Sequence, residues 1–290
     1  MNRMHSVAEI FRAIQQTKSN APAFRTNFFP VEEKLQGGLD RGEWLGASGA
    51  ATALFLRQDR DFWHLYFSTA SVAALRIDLA ACVELKAKPV TVDLVGREAV
   101  QELSPIFELA GFRSRARLLR LVSLGQPICG TAVPDQRVAP AEPIDCPAIV
   151  DLLLRSFDRY AEQIPELHEL EAAARRQQVL LVKDGDKAIA VLYFESHGVT
   201  SHIRYWLVDE PFRAAGYGSA LMRRYAAIQS KAKRFILWVL ANNEEALRKY
   251  RHYGYAPDGL VDHVLANSLI DPPSKTGYPA IPDDSSPEGA

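Results

Sequence analysis

Arg213-Ala214-Ala215-Gly216-Tyr217-Gly218 constrains this chain more than any other stretch. It follows an apolar run, Ile203-Arg204-Tyr205-Trp206-Leu207-Val208, that reads as a strand, and it opens a helix-like run over 219–231. A glycine-bearing turn between a strand and a helix exposes successive backbone N–H groups at the positive end of the helix dipole, a site suited to phosphate or pyrophosphate. Side chains in place of the glycines would hold such an anion away from the backbone. The turn therefore predicts a phosphate-bearing ligand at a strand–helix junction.

The length of 290 residues predicts two domains of ordinary size. The apolar fraction of 48% is enough to build real cores, and a formal net charge of −1 points to neither nucleic acid nor an anionic membrane. Cys82, Cys129 and Cys146 are odd in number and far apart, which argues against disulfides or a metal site and for a reducing cytoplasm. No stretch has the length and apolarity of a membrane span or a signal peptide, so a cytoplasmic protein is expected.

Along the chain, residues 6–17 read as an amphipathic helix with Ser6 and Glu9 at capping-box spacing. Residues 18–50, rich in glycine and proline, read as loops and short elements. A hairpin over 53–57 and 62–67, a helix over 71–85, a strand over 89–95, a helix over 97–109 and a strand over 117–122 complete the first half. A linker is expected over 125–143. The second half reads as helices 146–157 and 165–177, a hairpin 179–183 and 188–194, strand 199–208, the glycine turn, helix 219–231, strand 235–240, helix 243–253 and a strand near 260–265. The two halves share an element order, and each has Leu-Tyr-Phe (65–67 and 192–194) and Gly-aromatic (Gly111-Phe112 and Gly254-Tyr255), which predicts an internal duplication. On this alignment the first half lacks the strand and turn that the second half has over 199–218.

Arg213, Gly216 and Gly218 match the Arg/Gln-x-x-Gly-x-Gly/Ala signature of the GNAT acyltransferase superfamily, and Asn243, Ala246, Tyr250 and Gly254-Tyr255 match its second signature. Over about 140–267 the chain resembles that family in element order. The resemblance implies a mixed-sheet α/β (α+β) fold with two GNAT-like domains in tandem: a degenerate one over 1–124 and a catalytic one over 144–270. Residues 271–290, with five prolines among Ser, Asp and Gly, read as a disordered tail. The resemblance also implies acetyl-CoA or another acyl-CoA as donor, a small amine as acceptor, and no metal. Leu207 and Val208 would offer backbone groups to the pantetheine arm; Ala214, Ala215, Gly216, Tyr217, Gly218 and Ser219 would hold the pyrophosphate beside Arg213; and Asn243 would complete the site. Tyr250 would protonate the leaving thiolate, since a phenol with a pKa near 10 stays protonated.

For the base, the candidates are Glu195 at the end of strand 188–194 and the polar side chains of His202 and Arg204 on strand 199–208, acting directly or through water. Period-two alternation places His202, Arg204 and Trp206 on one face and Ile203, Tyr205 and Leu207 on the other. Two other readings stay open. One is a non-catalytic acyl-CoA-binding module. The other takes its donor from an acyl-carrier protein, for which Arg223, Arg224, Lys231, Lys233 and Arg234 would offer a basic rim. A monomer or a homodimer fits equally.

Overall fold

The computed structural model describes residues 1–19, 21, 23–97, 99–125, 127, 135–213 and 215–272, with the side chains of 99–101 excepted. Ala214, residues 126 and 128–134 of the expected 125–143 linker (Cys129 among them) and positions 273–290 of the expected tail lie outside the described residues. The chain divides into two compact units, one of Met1–Arg117 with the chain from Leu260 onward, the other of Leu118–Gly259.

Unit 1 begins with β1 (Asn2–Arg3) and α1 (Val7–Ser19). Ser6 Oγ accepts the Glu9 N–H at 3.2 Å, so the expected cap is made. Then come β2 (Arg25–Thr26), α2 (Glu32–Asp40), β3 (Trp44–Ser48), β4 (Thr52–Asp59) and β5 (Phe62–Thr69). The last three form an antiparallel meander, with β1 added beside β3. After α3 (Val72–Ala81) and α4 (Glu84–Ala87), β6 (Val90–Gly96) lies parallel to β5. The unit ends with α5 (Ala99–Leu109) and the first half of β7 (Phe112–Ser123). Leu75, Val92, Phe67, Phe107 and Phe112 share its larger core.

Unit 2 repeats this order with β8 (Ala139–Pro140), α6 (Cys146–Ser156), α7 (Leu167–Arg175), β9 (Val179–Asp184), β10 (Lys187–His197), β11 (Thr200–Val208), α8 (Tyr217–Ile228), β12 (Arg234–Leu240), α9 (Glu244–His252) and β13 (Ala256–Asn267). Strands β9, β10 and β11 form an antiparallel meander, and β12 runs parallel to β11. One core lies under α8 and α9, with Leu221, Tyr225 and Leu237; another lies under α6 and α7, with Ile149, Leu170 and Val191.

Each unit's sheet is completed by a strand that follows the other unit's last helix. Residues 118–123 of β7 pair antiparallel with β12 in unit 2, and residues 261–266 of β13 pair antiparallel with β6 in unit 1. Both sheets are mixed, and both units have helices and strands in similar measure.

The short elements expected within 18–50 include a nine-residue helix and a five-residue strand. Several of their glycines are packing positions: a Cβ on Gly38 would meet the Trp44 ring at 2.5 Å, and one on Gly46 would meet the Met4 sulfur at 2.4 Å. With β3 in place, β5 corresponds to β11 and not to β10. The strand expected to be missing from the first half is therefore present, and what is short is the connection after it, only Ala70 and Ser71 between β5 and α3.

Candidate active site

The candidate site of unit 2 lies at an irregularity in β11. Its pairing with β10 runs from Thr200↔His197 to Val208↔Ala190, but slips so that Tyr193 faces Tyr205 while Phe194 faces Ile203. Arg204 is thus the extra residue of a β-bulge, a feature that re-aims the side chains beyond it. Ile203 packs into the same core as Trp206 and Val208, whereas Tyr205 and Leu207 pack on the α6–α7 side. Strict alternation across 202–207 therefore fails at Arg204.

Pairing between β11 and β12 stops at the same place. It runs from Thr200↔Arg234 to Ile203↔Leu237, although β11 continues to Val208 and β12 to Leu240. The Asp209 N–H donates to the Ile189 carbonyl across from it at 2.8 Å. Antiparallel alternation then turns the backbone groups of Leu207 toward β10 and those of Trp206 and Val208 toward the β12 side. The backbone groups of Val208 and Trp206 therefore turn to the side that β12 leaves open, and those of Leu207 turn to β10.

The glycine turn follows at once. Asp209 anchors it: its carboxylate accepts the Glu210 N–H at 3.0 Å and the Lys187 ammonium at 2.8 Å. The Lys187 contact is the main cause holding the Asp209 carboxyl below its usual range. Gly216 has φ +81°, a left-handed conformation that favours glycine, and it is the N-cap of α8 with no side-chain cap bond. A Cβ on Gly218 would lie 3.5 Å from the Trp206 ring and 3.5 Å from Val208 Cγ2, so the turn sits directly on the re-aimed part of β11. Helix α8 begins at Tyr217, two residues before the expected start.

The remaining expected residues have defined places. Arg213 Nε lies 3.5 Å from the Val208 carbonyl, and Ala215 is exposed. The Arg137 guanidinium, paired with Asp135, covers the Tyr217 ring at 4.7 Å. Ser219 Oγ accepts the Tyr253 hydroxyl at 3.0 Å, tying the first turn of α8 to the end of α9. Asn243 caps α9 by accepting the Ala246 N–H at 3.1 Å, so its carboxamide is used within the fold.

Tyr250 on α9 packs against Trp206 with ring centroids 5.6 Å apart and against Tyr255 at 6.1 Å. Among the described residues the buried Trp206 indole Nε1 has no hydrogen-bond partner. Burial raises the Tyr250 phenol above its ordinary pKa, and the Glu162 carboxylate adds to the rise. Glu162 belongs to the segment between α6 and α7, where the Tyr205 hydroxyl donates to the Gln163 carbonyl at 2.8 Å. Neither Glu162 nor Tyr205 was singled out from the sequence for this role.

Glu195 sits opposite His202, in the fully paired part of β11, where its Oε1 accepts the Tyr193 hydroxyl at 3.0 Å. The carboxylate acting on Tyr250 is that of Glu162, not that of Glu195. Of the expected basic rim, Arg234 lies 3.8 Å from the Asp258 carboxylate. Among the described residues no group of His, Cys, Asp and Glu is arranged to hold a metal. No described helix is long and apolar enough to cross a membrane.

Residues 146–255 match the family model of the Acetyltransferase (GNAT) family. This segment is a GNAT domain. Solved structures resemble the chain over most of its length. A GCN5-related N-acetyltransferase from Sphaerobacter thermophilus has a TM-score of 0.56 at 15% identity, over 92% of this chain and 92% of that one. One from Kribbella flavida has 0.54 at 16%, over 81% of this chain and 93% of that one. A tandem GNAT protein from the clavulanic acid biosynthesis pathway has 0.55 at 9%, over 90% of this chain and 94% of that one. No curated protein sequence matches the chain. The likeness to a tandem GNAT protein agrees with the repeated element order, two GNAT-like units in one chain.

Proposed function

We propose that the GNAT domain of unit 2 transfers an acyl group from acyl-coenzyme A, most simply acetyl-CoA, to the nitrogen of a small amine. The observation that carries this reading is the coincidence of three features at one end of β11: pairing with β12 stops after Ile203, Trp206 and Val208 turn their backbone groups to that side, and α8 starts at a left-handed glycine with no side-chain cap. A thioester donor with an amide-bearing arm and a pyrophosphate is complementary to all three. The arm's amides can pair with Trp206 and Val208, and the pyrophosphate with the N–H groups of 216–219.

The chemistry needs an unprotonated amine, attack on the thioester carbon, and a proton for the departing sulfur. As the C–N bond forms and the C–S bond breaks, the electron pair of the latter goes to sulfur. Tyr250, kept protonated by its raised pKa, is the proposed donor of the proton that neutralises it. Glu195 is kept as the proposed base, acting through water; Glu162, whose charge reaches Tyr250, favours a cationic acceptor on the same side. The basic residues of α8 leave a carrier-protein thioester as the competing donor.

Calorimetric titration with acetyl-CoA tests the donor. Wild-type chain should bind with ordinary micromolar affinity, and Gly216→Glu, which sets a carboxylate at the helix N-terminus, should lose binding. If the wild type does not bind at millimolar acetyl-CoA, free coenzyme A is not the donor.

A further inference from the structure

Unit 1 has the same strand geometry as unit 2, and its own chain is already in it. Strands β5 and β6, the counterparts of β11 and β12, pair only over Trp63↔Val90 and His64↔Thr91. Beyond that point β2 pairs antiparallel with β5, Arg25 with Thr69 and Thr26 with Ser68. The same two residues of β5 pair with Thr52 and Ala53 of β4 on their other side, so β2 lies on the edge that faces β6.

Asn27 then bridges the two diverging strands. Its Oδ1 accepts the Phe67 N–H at 2.8 Å, and its Nδ2 donates to the Leu65 carbonyl of β5 at 3.0 Å and to the Asp93 carbonyl of β6 at 3.1 Å. Thr26 Oγ1 donates to the Phe67 carbonyl at 2.7 Å. A carboxamide that accepts from one strand residue and donates to another does the work of a peptide group in a ladder. The helix terminus is satisfied as well: Ser71, one residue after Ala70, accepts the Ala74 N–H of α3 at 3.2 Å.

We propose that Arg25–Asn27 is a built-in seal. It holds the place between β5 and β6 that an amide-bearing ligand would take between β11 and β12, so unit 1 takes no coenzyme of its own. Only the comparison with unit 2 rests on the donor reading; the seal itself rests on contacts within unit 1. A ligand arm could enter between β5 and β6 only by displacing the Asn27 bridge and the β2 pairing together. Those groups are tethered to the site and so compete at high effective concentration.

Hydrogen exchange on the full chain, read by mass spectrometry, tests this. Without ligand, the amides of 65–69 should exchange at least about 10²-fold more slowly than free peptide, as paired strand amides do. Addition of 1 mM acetyl-CoA should leave them unchanged while slowing exchange over 204–219. Asn27→Ala should speed exchange over 65–69. Asn27→Asp, which sets a carboxylate oxygen against the Leu65 and Asp93 carbonyls in place of the amide donor, should do so at least as much. Fast exchange over 65–69 in the wild type, or slowing there by acetyl-CoA, overturns the seal. If neither region responds to acetyl-CoA, the donor reading for unit 2 fails, and slow exchange over 65–69 still supports the seal.

Discussion

Tyr250 takes its position from two neighbouring rings and its protonation state from burial and the charge of Glu162. Tyr250→Phe should lower turnover by on the order of 10²-fold, the usual yield of a general acid. Its calorimetric affinity for acetyl-CoA should stay within about twofold, because the rings against Trp206 and Tyr255 remain; unchanged turnover would remove Tyr250 from its role. Glu162→Gln should lower the phenol pKa, since a neighbouring negative charge opposes ionisation, and titration of tyrosine absorbance would read the shift. A Tyr250 pKa that stays put would show that burial alone sets it. Tyr250 was legible because its spacing to Gly254-Tyr255 follows a family signature. The bulge at Arg204 was not, because nothing in Ile203-Arg204-Tyr205 departs from ordinary strand composition, and the slip comes from pairing with Tyr193 and Phe194.

At the scale of elements, the glycine turn divides into two positions with different demands. Gly216→Ala should destabilise the chain by about 1–2 kcal/mol in thermal unfolding, the cost of a left-handed backbone in a residue with a side chain. Gly218→Ala should be close to neutral for stability, since its Cβ would make only ordinary contacts with Trp206 and Val208. Equal effects would contradict this division.

The pairing of β6 with β13 holds a second test. Asp262 is pushed well above the usual carboxylate range, first by burial and then by Asp93. Its folded pKa exceeds the unfolded value near 3.9, so stability is full below that pH and falls as pH rises toward the folded value. Asp262→Asn should therefore raise the melting temperature at pH 7 and change it little near pH 3. The turn, the hairpins and most helices were readable from periodicity. Helix α2 and strand β3 were not, because Gly38 and Gly46 look like loop glycines while serving close packing against Trp44 and Met4. Without β3 the halves align one strand out of step, and Arg25–Asn27 falls in a stretch whose short elements carry no periodicity to place them.

At the scale of the whole molecule, the exchanged strands decide how the chain can be divided. A cut within 125–143 leaves unit 1 without residues 260–267 beside β6 and unit 2 without residues 118–123 beside β12. Both fragments would then expose a strand edge and the apolar side chains that face it, Val92 in one and Leu237 in the other. Fragments 1–124 and 144–290 should each be aggregation-prone by size-exclusion chromatography, and co-expression should recover soluble material. Two independently folded monomers would contradict the exchange. The tandem arrangement was legible from the repeated element order, but the exchange was not, since Leu118–Ser123 and Leu260–Asn267 read only as apolar strands with no partner specified.

The proposed donor site is one per chain, formed where the bulge of β11 meets the glycine turn of unit 2, and the proposed seal closes the matching place in unit 1. Native mass spectrometry of the intact chain with acetyl-CoA measures that directly. One bound molecule per chain, lost in Gly216→Glu, is the predicted result; no bound molecule, two, or one that survives Gly216→Glu would contradict it.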